Sequence, residues 1–120
     1  MWIFTKDGFV SAVRKKEYPD FITVRARDRE SLTGLAEFAE AVIAKSPDGD
    51  YPYRAFVKPE VFSDWVSGEA LDIDYHNFKT KVSQVRGWEF VSALHDVWTA
   101  MLQVEDDDAR EGEATKVNPS

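Results

Sequence analysis

The side chains with the most versatile chemistry in this sequence are two histidines, His76 and His95, and the acids near them. A metal site would need a further ligand, and Asp72, Asp74 and Asp96 are the nearest acids in the sequence. The spacing lacks the pair of histidines four residues apart on one helix that is typical of zinc-dependent proteases. Acids at the start of a helix more often complement its dipole than take part in acid–base chemistry. We therefore predict no metal site and no catalytic residue.

Other catalytic motifs are also missing. The chain has no cysteine, which excludes disulfides, thiolate metal sites and thiol nucleophiles together. A serine hydrolase would need its nucleophile on a tight glycine-flanked turn, and no Gly-x-Ser-x-Gly occurs. The six glycines are isolated from one another and form no phosphate-binding loop. We predict no cofactor, and an enzyme is the less favoured hypothesis.

The most distinctive polar pattern is a row of arginines in and after the segment from Phe21 to Arg27. Apolar and polar residues alternate there, so that Ile22, Val24 and Ala26 share one face of a predicted strand and polar side chains share the other. Basic residues of the preceding strand and turn join the polar face if the two strands pair as a hairpin. The resulting candidate anion-binding or partner surface comprises Arg14, Lys16, Thr23, Arg25, Arg27 and Arg29.

Two interpretations of this polar face stay open. Guanidinium groups suit phosphate, an acidic protein surface or single-stranded nucleic acid as a ligand. Charge is also the ordinary pattern on the solvent side of a sheet, in which case the arginines pair with acids such as Asp28, Glu30 or the C-terminal segment.

A second candidate surface is aromatic and lies late in the chain. Trp88, Leu94 and Trp98 recur at helical spacing, which indicates a buried stripe. Phe90 falls outside that stripe, and exposed aromatic residues are enriched where proteins meet partners. The candidate aromatic surface comprises Phe90, His95 and Trp98. A homodimer or a partner's groove would cover it, and burial under a neighbouring helix explains the pattern equally well.

A small α+β domain must position these side chains. Strand-like segments flank an Asp-Gly turn at residues 6–8, and a third strand covers residues 21–27. A helical pattern covers residues 29–45 and leads to a fourth strand at 53–57, which we expect to be parallel to the third if they share a sheet. Three helical stripes follow Pro59, separated by Gly68 and Gly87. The predicted fold is a small mixed four-stranded sheet (β-β-β-α-β) followed by three helices packed mainly on one face.

The formal charge of −7 is unevenly distributed. Residues 105–120 hold six acids, two bases and no aromatic residue, which predicts an acidic disordered tail. Residues 1–104 carry the remaining −3 and are predicted to form a single domain. This mildly acidic balance disfavours nucleic acid as a partner without excluding it. No segment has the length of a membrane span, and the N terminus lacks signal-peptide features, so we expect a cytoplasmic protein that does not bind membranes.

Four short motifs resemble a family of small uncharacterised proteins from bacteria and their phages. They are Met1-Trp2-Ile3-Phe4-Thr5 with Gly8-Phe9, Ser11 and Val13; Ile22-Thr23-Val24-Arg25-Ala26-Arg27-Asp28-Arg29; Ile73-Asp74-Tyr75 with Asn77-Phe78-Lys79; and His95-Asp96-Val97-Trp98. The resemblance covers residues 1 to about 102 and implies a compact domain. It assigns no role to any residue, because the family has no established activity. By analogy with small acidic phage proteins, it suggests an inhibitor or adaptor of a host protein.

These observations favour a non-catalytic cytoplasmic module that binds a protein, through either the arginine strand or the late aromatic helices. One alternative is an acidic mimic of nucleic acid that occupies a DNA- or RNA-binding protein. Another is a small enzyme or ligand-binding module whose pocket lies between the sheet and the late helices, with Arg25 or Arg27 holding an anionic small molecule and His95 acting as acid or base.

Overall fold

A five-stranded antiparallel sheet lies at the centre of the computed structural model, which describes residues 1–46, 49–73, 78–109 and 119. Strands β1 (Trp2–Thr5) and β2 (Gly8–Val13) form a hairpin, and β3 (Ile22–Ala26) pairs with β2. Strand β4 (Ala44–Lys45) is an edge strand, and β5 (Tyr53–Val57) lies between β3 and β4. The predicted α+β class is confirmed, with five strands rather than four.

The expected parallel pairing of the third strand with the strand at 53–57 is wrong, because β3 and β5 are antiparallel. The helix after β3 leads to β4 at the far edge of the sheet, and the chain then reverses into β5. Since β4 and β3 are each antiparallel to β5, they are parallel to one another but are not neighbours. A two-residue strand is too short to show any periodicity in the sequence. The sequence pattern therefore connects α1 directly to β5 instead of to β4.

The main core lies on one face of the sheet. Helix α1 (Glu30–Ala39) supplies Leu32 and Leu35, and helix α2 (Pro59–Leu71) supplies Trp65. They pack against small and branched side chains of the strands: Val10, Val24, Ala26, Ala55 and Val57. Every one of these residues is buried, as expected for the apolar side of an alternating strand.

Helix α1 is shorter than the sequence pattern predicts. Its last turn closes with the backbone N–H of Ala41 bonded to the carbonyl of Ala36, while Glu40 takes a left-handed conformation with φ of 52°. This Schellman-type end usually has glycine in the left-handed position, and Glu40 in that position does not indicate a helix end. Val42 is consequently exposed instead of lying on the helix stripe.

The last two helices form a hairpin of their own. Helix α3 (Phe78–Arg86) and helix α4 (Trp88–Met101) meet at Gly87, which has φ of +83°, and a 3₁₀ turn follows at Leu102–Val104. The break predicted at Gly87 is confirmed. The break predicted at Gly68 is wrong, because Gly68 lies inside α2. One glycine costs a helix only about 1 kcal/mol, which neighbouring contacts offset.

The helical hairpin packs against the second face of the sheet. Its small core of Val82, Val91 and Leu94 contacts Phe4 of β1, whereas Ile3 belongs to the main core. Successive residues of a strand point to opposite faces, so the helices are divided between the two faces rather than lying mainly on one. In the described part of the chain, no helix is long and apolar enough to span a membrane.

Arg86, at the end of α3, attaches the hairpin to the rest of the molecule. Its Nη1 donates hydrogen bonds to the carbonyl oxygen of Asp7 at 2.7 Å and to Ser31 Oγ at 3.3 Å. Its guanidinium also pairs with the carboxylates of Asp28 and, at 2.8 Å, Glu30. The side chain of Arg86 is only 10% exposed, so these contacts replace most of its hydration.

At the same junction, the pKa of Asp28 is shifted and position 8 requires glycine. Burial alone would raise the pKa of Asp28, but hydrogen bonds from Ser31 and Arg86 and the charge of Arg86 hold that pKa below its usual value of 3.8. A Cβ at Gly8 would lie 2.2 Å from Ser31 Oγ, and the φ of +145° at Gly8 is one that other residues rarely adopt. The junction is thus closely packed as well as charged.

Two predicted features lie in segments outside the described residues. Leu71 ends α2 and Asp72 follows it, but residues 74–77, which include the candidate ligands Asp74 and His76, are outside. The acidic tail is described only as far as Ala109, apart from Pro119. Its disorder, and the domain boundary at residue 104, stay predictions.

Candidate anion-binding surface

Three arginines from β3, its C-terminal end and β5 converge on Tyr51. The guanidinium carbons of Arg25 and Arg27 each lie 4.6 Å from the centre of the Tyr51 ring. Nη2 of Arg54 donates a hydrogen bond of 3.3 Å to the Tyr51 carbonyl oxygen. Arg25 and Arg54 are direct partners across the β3–β5 pair. Tyr51 is only 8% exposed, so its ring is a fixed platform for the two stacked guanidinium groups.

Two buried hydroxyl groups lie on the same sheet face as these arginines. Ser11 pairs with Arg25 across β2 and β3, and Ser11 Oγ accepts a hydrogen bond of 2.8 Å from Nη2 of Arg25. Thr23 is fully buried, two residues before Arg25 in β3. Nη1 of Arg27 reaches the backbone and donates to the carbonyl of Asp50 at 2.6 Å. The guanidinium groups are therefore oriented by hydrogen bonds to uncharged oxygen atoms and by stacking on the Tyr51 ring.

Three polar atoms of this surface have no hydrogen-bond partner in the part of the chain that the structure describes. They are Thr23 Oγ1, Arg25 Nε and Arg54 Nε, and all three atoms are buried. A buried donor or acceptor without a partner costs about 1–3 kcal/mol, which is why such groups are rare in folded proteins. The two arginine Nε atoms are donors, and Thr23 Oγ1 can act as donor or acceptor. Because these atoms are buried, an anion would contact the outer nitrogens of the same guanidinium groups instead.

Within the described residues, no carboxylate compensates the positive charge of the surface. Among the residues that the structure describes, no acidic side chain lies within ion-pair distance of Arg25, Arg27 or Arg54. Like charges directly opposite each other in a sheet destabilise it. We name the set of Ser11, Thr23, Arg25, Tyr51, Arg27 and Arg54 the arginine surface. Its positive charge favours an anionic ligand.

The structure brings together half of the residues predicted for this role. Thr23, Arg25 and Arg27 lie on the arginine surface. Arg14 instead donates to the carbonyl of Pro19 at 2.7 Å, in the loop between β2 and β3, and Lys16 is exposed in that loop. The Arg29 guanidinium lies 5.3 Å from the centre of the Tyr53 ring, and Tyr53 packs against the main core on the opposite sheet face.

The sequence analysis missed Arg54 and Tyr51. Arg54 alternates with Tyr53 and Ala55 in β5, and this pattern did predict the strand. Its pairing with Arg25 depends on the antiparallel register, which the expected parallel orientation concealed. Tyr51 lies in the loop before β5, where no periodicity indicates the direction of a side chain.

An aromatic pocket of about 350 Å³ adjoins the arginine surface. It lies between the sheet and α4, and its walls include Trp2, Phe9, Tyr51, Phe90, Val97 and the guanidinium-bearing side chain of Arg27. Trp2 and Phe9 meet edge to face with ring centres 5.5 Å apart, and Phe4 stacks on Phe9 at 4.7 Å. Arg27 and Tyr51 belong to both the pocket and the arginine surface.

The predicted aromatic surface is divided by the structure. Phe90 is half-buried, lines the aromatic pocket and carries the Arg86 guanidinium 4.4 Å above its ring. His95 and Trp98 stack on each other with ring centres 5.6 Å apart, beside Lys79 of α3. Trp98 is more than half exposed. Phe90 therefore contacts the aromatic pocket and Arg86, whereas His95 and Trp98 contact each other and Lys79. The three residues do not form one surface.

No group of three potential metal ligands occurs among the described residues. Two residues considered in that context, Asp74 and His76, lie outside those residues. The comparisons with known proteins add no candidate chemistry: no protein-family model, curated protein or solved structure matches the chain. The site must therefore be interpreted from its own geometry.

Proposed function

We propose that this protein is a non-catalytic binding module that recognises an acidic segment of a partner protein through the arginine surface. The observation that carries the proposal is the convergence of three guanidinium groups on Tyr51 with no carboxylate within ion-pair distance in the described part of the chain. In a cell, such a module acts as an adaptor or an inhibitor of the protein that it binds.

The geometry of the arginines favours carboxylates as ligands. A guanidinium group is a planar fork that matches the two oxygens of a carboxylate, and bonds between two charged groups are about twice as strong as neutral ones. Here the forks of Arg25 and Arg27 are held against the Tyr51 ring, and Arg54 is held by the Tyr51 carbonyl. Less side-chain entropy is lost on binding when the groups are already oriented.

The charge of the whole chain favours a short acidic segment over a nucleic acid. A nucleic acid presents a continuous row of phosphates, and its binding depends on a broad basic surface. This chain carries a net charge of −7, and its uncompensated arginines form one compact group. A peptide segment with a few carboxylates needs only that group, and it meets less repulsion from the acids elsewhere.

The proposal is tested by titrating the full-length protein with a short peptide of alternating Glu and Ser and measuring the affinity by NMR or calorimetry. Arg25→Gln and Arg54→Gln each remove one charged donor set, and we expect each to weaken binding about tenfold. Lys16→Gln is the matched control, because it removes the same charge from an exposed loop position outside the surface. Equal weakening by all three variants would indicate a general charge effect and would refute the proposed site.

A further inference from the structure

We infer that the aromatic pocket beside the arginine surface receives an aromatic side chain of the same acidic segment, so that the recognised motif is an aromatic residue flanked by acids. This inference rests on the proposed function and adds to it the sequence preference of the partner. It is drawn from the composition of the pocket walls and from the two residues that the pocket shares with the arginine surface.

The pocket is continuous with the arginine surface. Arg27 and Tyr51 line the pocket, and the same Tyr51 ring lies under the guanidinium groups of Arg25 and Arg27. A carboxylate bound to these arginines is therefore next to the pocket mouth. An adjacent residue of the bound segment has its side chain within reach of the pocket.

The walls of the pocket favour an apolar ring as the occupant. The side chains of Trp2, Phe9, Phe90 and Val97 present mostly carbon atoms to the space. The polar groups Asp28 and Ser31 also reach the pocket, but each is occupied by hydrogen bonds to the other and to Arg86. Aromatic rings pair well edge to face or offset, and small-molecule pockets of this kind are lined by such groups.

The size and the exposure of the pocket also fit a docked side chain. A volume of about 350 Å³ lies within the range of sites that bury small ligands. Trp2, in the pocket wall, is 69% exposed, and tryptophan is one of the residue types enriched among those that dominate binding energy. Covering Trp2 on binding would remove a large apolar surface from water.

The occupant is assigned to a partner rather than to this chain's own acidic segment. Residues 105–120 carry a net charge of −4 and so complement the arginines, but they contain no aromatic residue. The segment therefore lacks the side chain that the pocket would select. An acidic peptide with a central aromatic residue supplies both groups.

The test compares two synthetic peptides, Glu-Glu-Phe-Glu-Glu and Glu-Glu-Ala-Glu-Glu, for binding to the full-length protein by calorimetry or NMR titration. Burial of the phenylalanine ring should make the first peptide bind about tenfold more tightly or better. Ala93→Leu adds a larger side chain at an exposed position of α4 that lines the pocket, and it should reduce this preference to less than about twofold. Ala100→Leu is the control, because Ala100 is exposed seven residues further along the same helix and does not line the pocket.

The outcomes separate this inference from the proposed function. Equal binding of both peptides, with loss of binding in Arg54→Gln, would overturn the aromatic preference and leave the acidic site supported. A phenylalanine preference that Ala93→Leu and Ala100→Leu leave unchanged would also overturn the inference, because the ring would then bind elsewhere. Absence of binding by either peptide would overturn the proposed function itself. Light scattering that shows a dimer dissociated by Ala93→Leu would assign the pocket to a second copy of the chain.

Discussion

Substitution of Arg86 by glutamine should loosen the attachment of the α3–α4 hairpin to the sheet. The side chain is 10% exposed and makes two ion pairs and two hydrogen bonds that join α3 to the β1–β2 turn and to the start of α1. Glutamine keeps part of the length and one donor group but lacks the charge and the fork. The carboxylates of Asp28 and Glu30 would lose their common partner.

The magnitude follows from the burial of the three charged groups. Breaking a fully buried ion pair costs about 3–5 kcal/mol, mainly because the remaining charge is left without solvation. Here the Asp28 and Glu30 side chains are 43% and 71% exposed, so water can solvate them once Arg86 is gone. We therefore expect a loss of about 2–3 kcal/mol in the free energy of unfolding. For a chain of this length, that corresponds to a fall of about 10 °C in Tm.

Urea denaturation and hydrogen exchange together measure this effect. Urea gives the change in unfolding free energy, and exchange should show that amides of α4 lose more protection than amides of β3. Arg14→Gln is the control, because Arg14 is an exposed arginine with one hydrogen bond to a loop carbonyl. If Arg86→Gln costs no more than Arg14→Gln, or if α4 and β3 lose protection equally, the role assigned to Arg86 is refuted.

Four further substitutions test the packing and the charges of the fold. Gly8→Ala should lower the free energy of unfolding by at least about 2 kcal/mol, because of the φ of +145° at Gly8 and the contact of the added Cβ with Ser31. Gly68→Ala in α2 should raise it by about 0.5–1 kcal/mol, because the added Cβ meets nothing within 4 Å. Thermal unfolding of both variants measures the contrast. The pKa of Asp28 is lowered by folding, so its contribution is present above the unfolded pKa of about 3.9 and is lost as pH falls through the folded pKa. Unfolding free energies should therefore differ between wild type and Asp28→Asn at pH 7, and the difference should begin to shrink near pH 4 and be lost only below the folded pKa of Asp28. A constant difference across this range would contradict the linkage. Thr23→Val removes a buried hydroxyl without a partner, so the free protein should be equally stable or up to about 1 kcal/mol more stable, and a clear loss in urea denaturation would reveal a hydrogen bond missed here.

The sequence predicted those parts of the fold that depend on local patterns. Alternation in β3 identified its buried and polar faces, and the spacing of Leu32 and Leu35 placed α1 against the sheet. The break at Gly87 could also be predicted from the sequence, because glycine is the residue that most easily adopts the positive φ found there.

The parts that failed depend on long-range geometry. The two-residue strand β4 determines whether β5 runs parallel or antiparallel to β3, and two residues carry no periodic signal. The register in turn decides that Arg54 faces Arg25. No pattern in the sequence distinguishes Arg86 from the other polar helix residues, and only the tertiary structure brings it to Asp28 and Ser31.

The most direct test of the central claim is to observe the Nε–H signals of Arg25 and Arg54 by ¹⁵N NMR while the acidic peptide Glu-Glu-Phe-Glu-Glu is added. Both Nε atoms are buried, have no hydrogen-bond partner among the described residues, and share their guanidinium groups with the nitrogens that the peptide would contact. We predict that these two signals shift in a saturable manner with the same affinity, while the Nε–H signal of Arg14 stays unchanged. Shifts at Arg14 that match those at Arg25 and Arg54, or saturable binding with no change at Arg25 and Arg54, would contradict it.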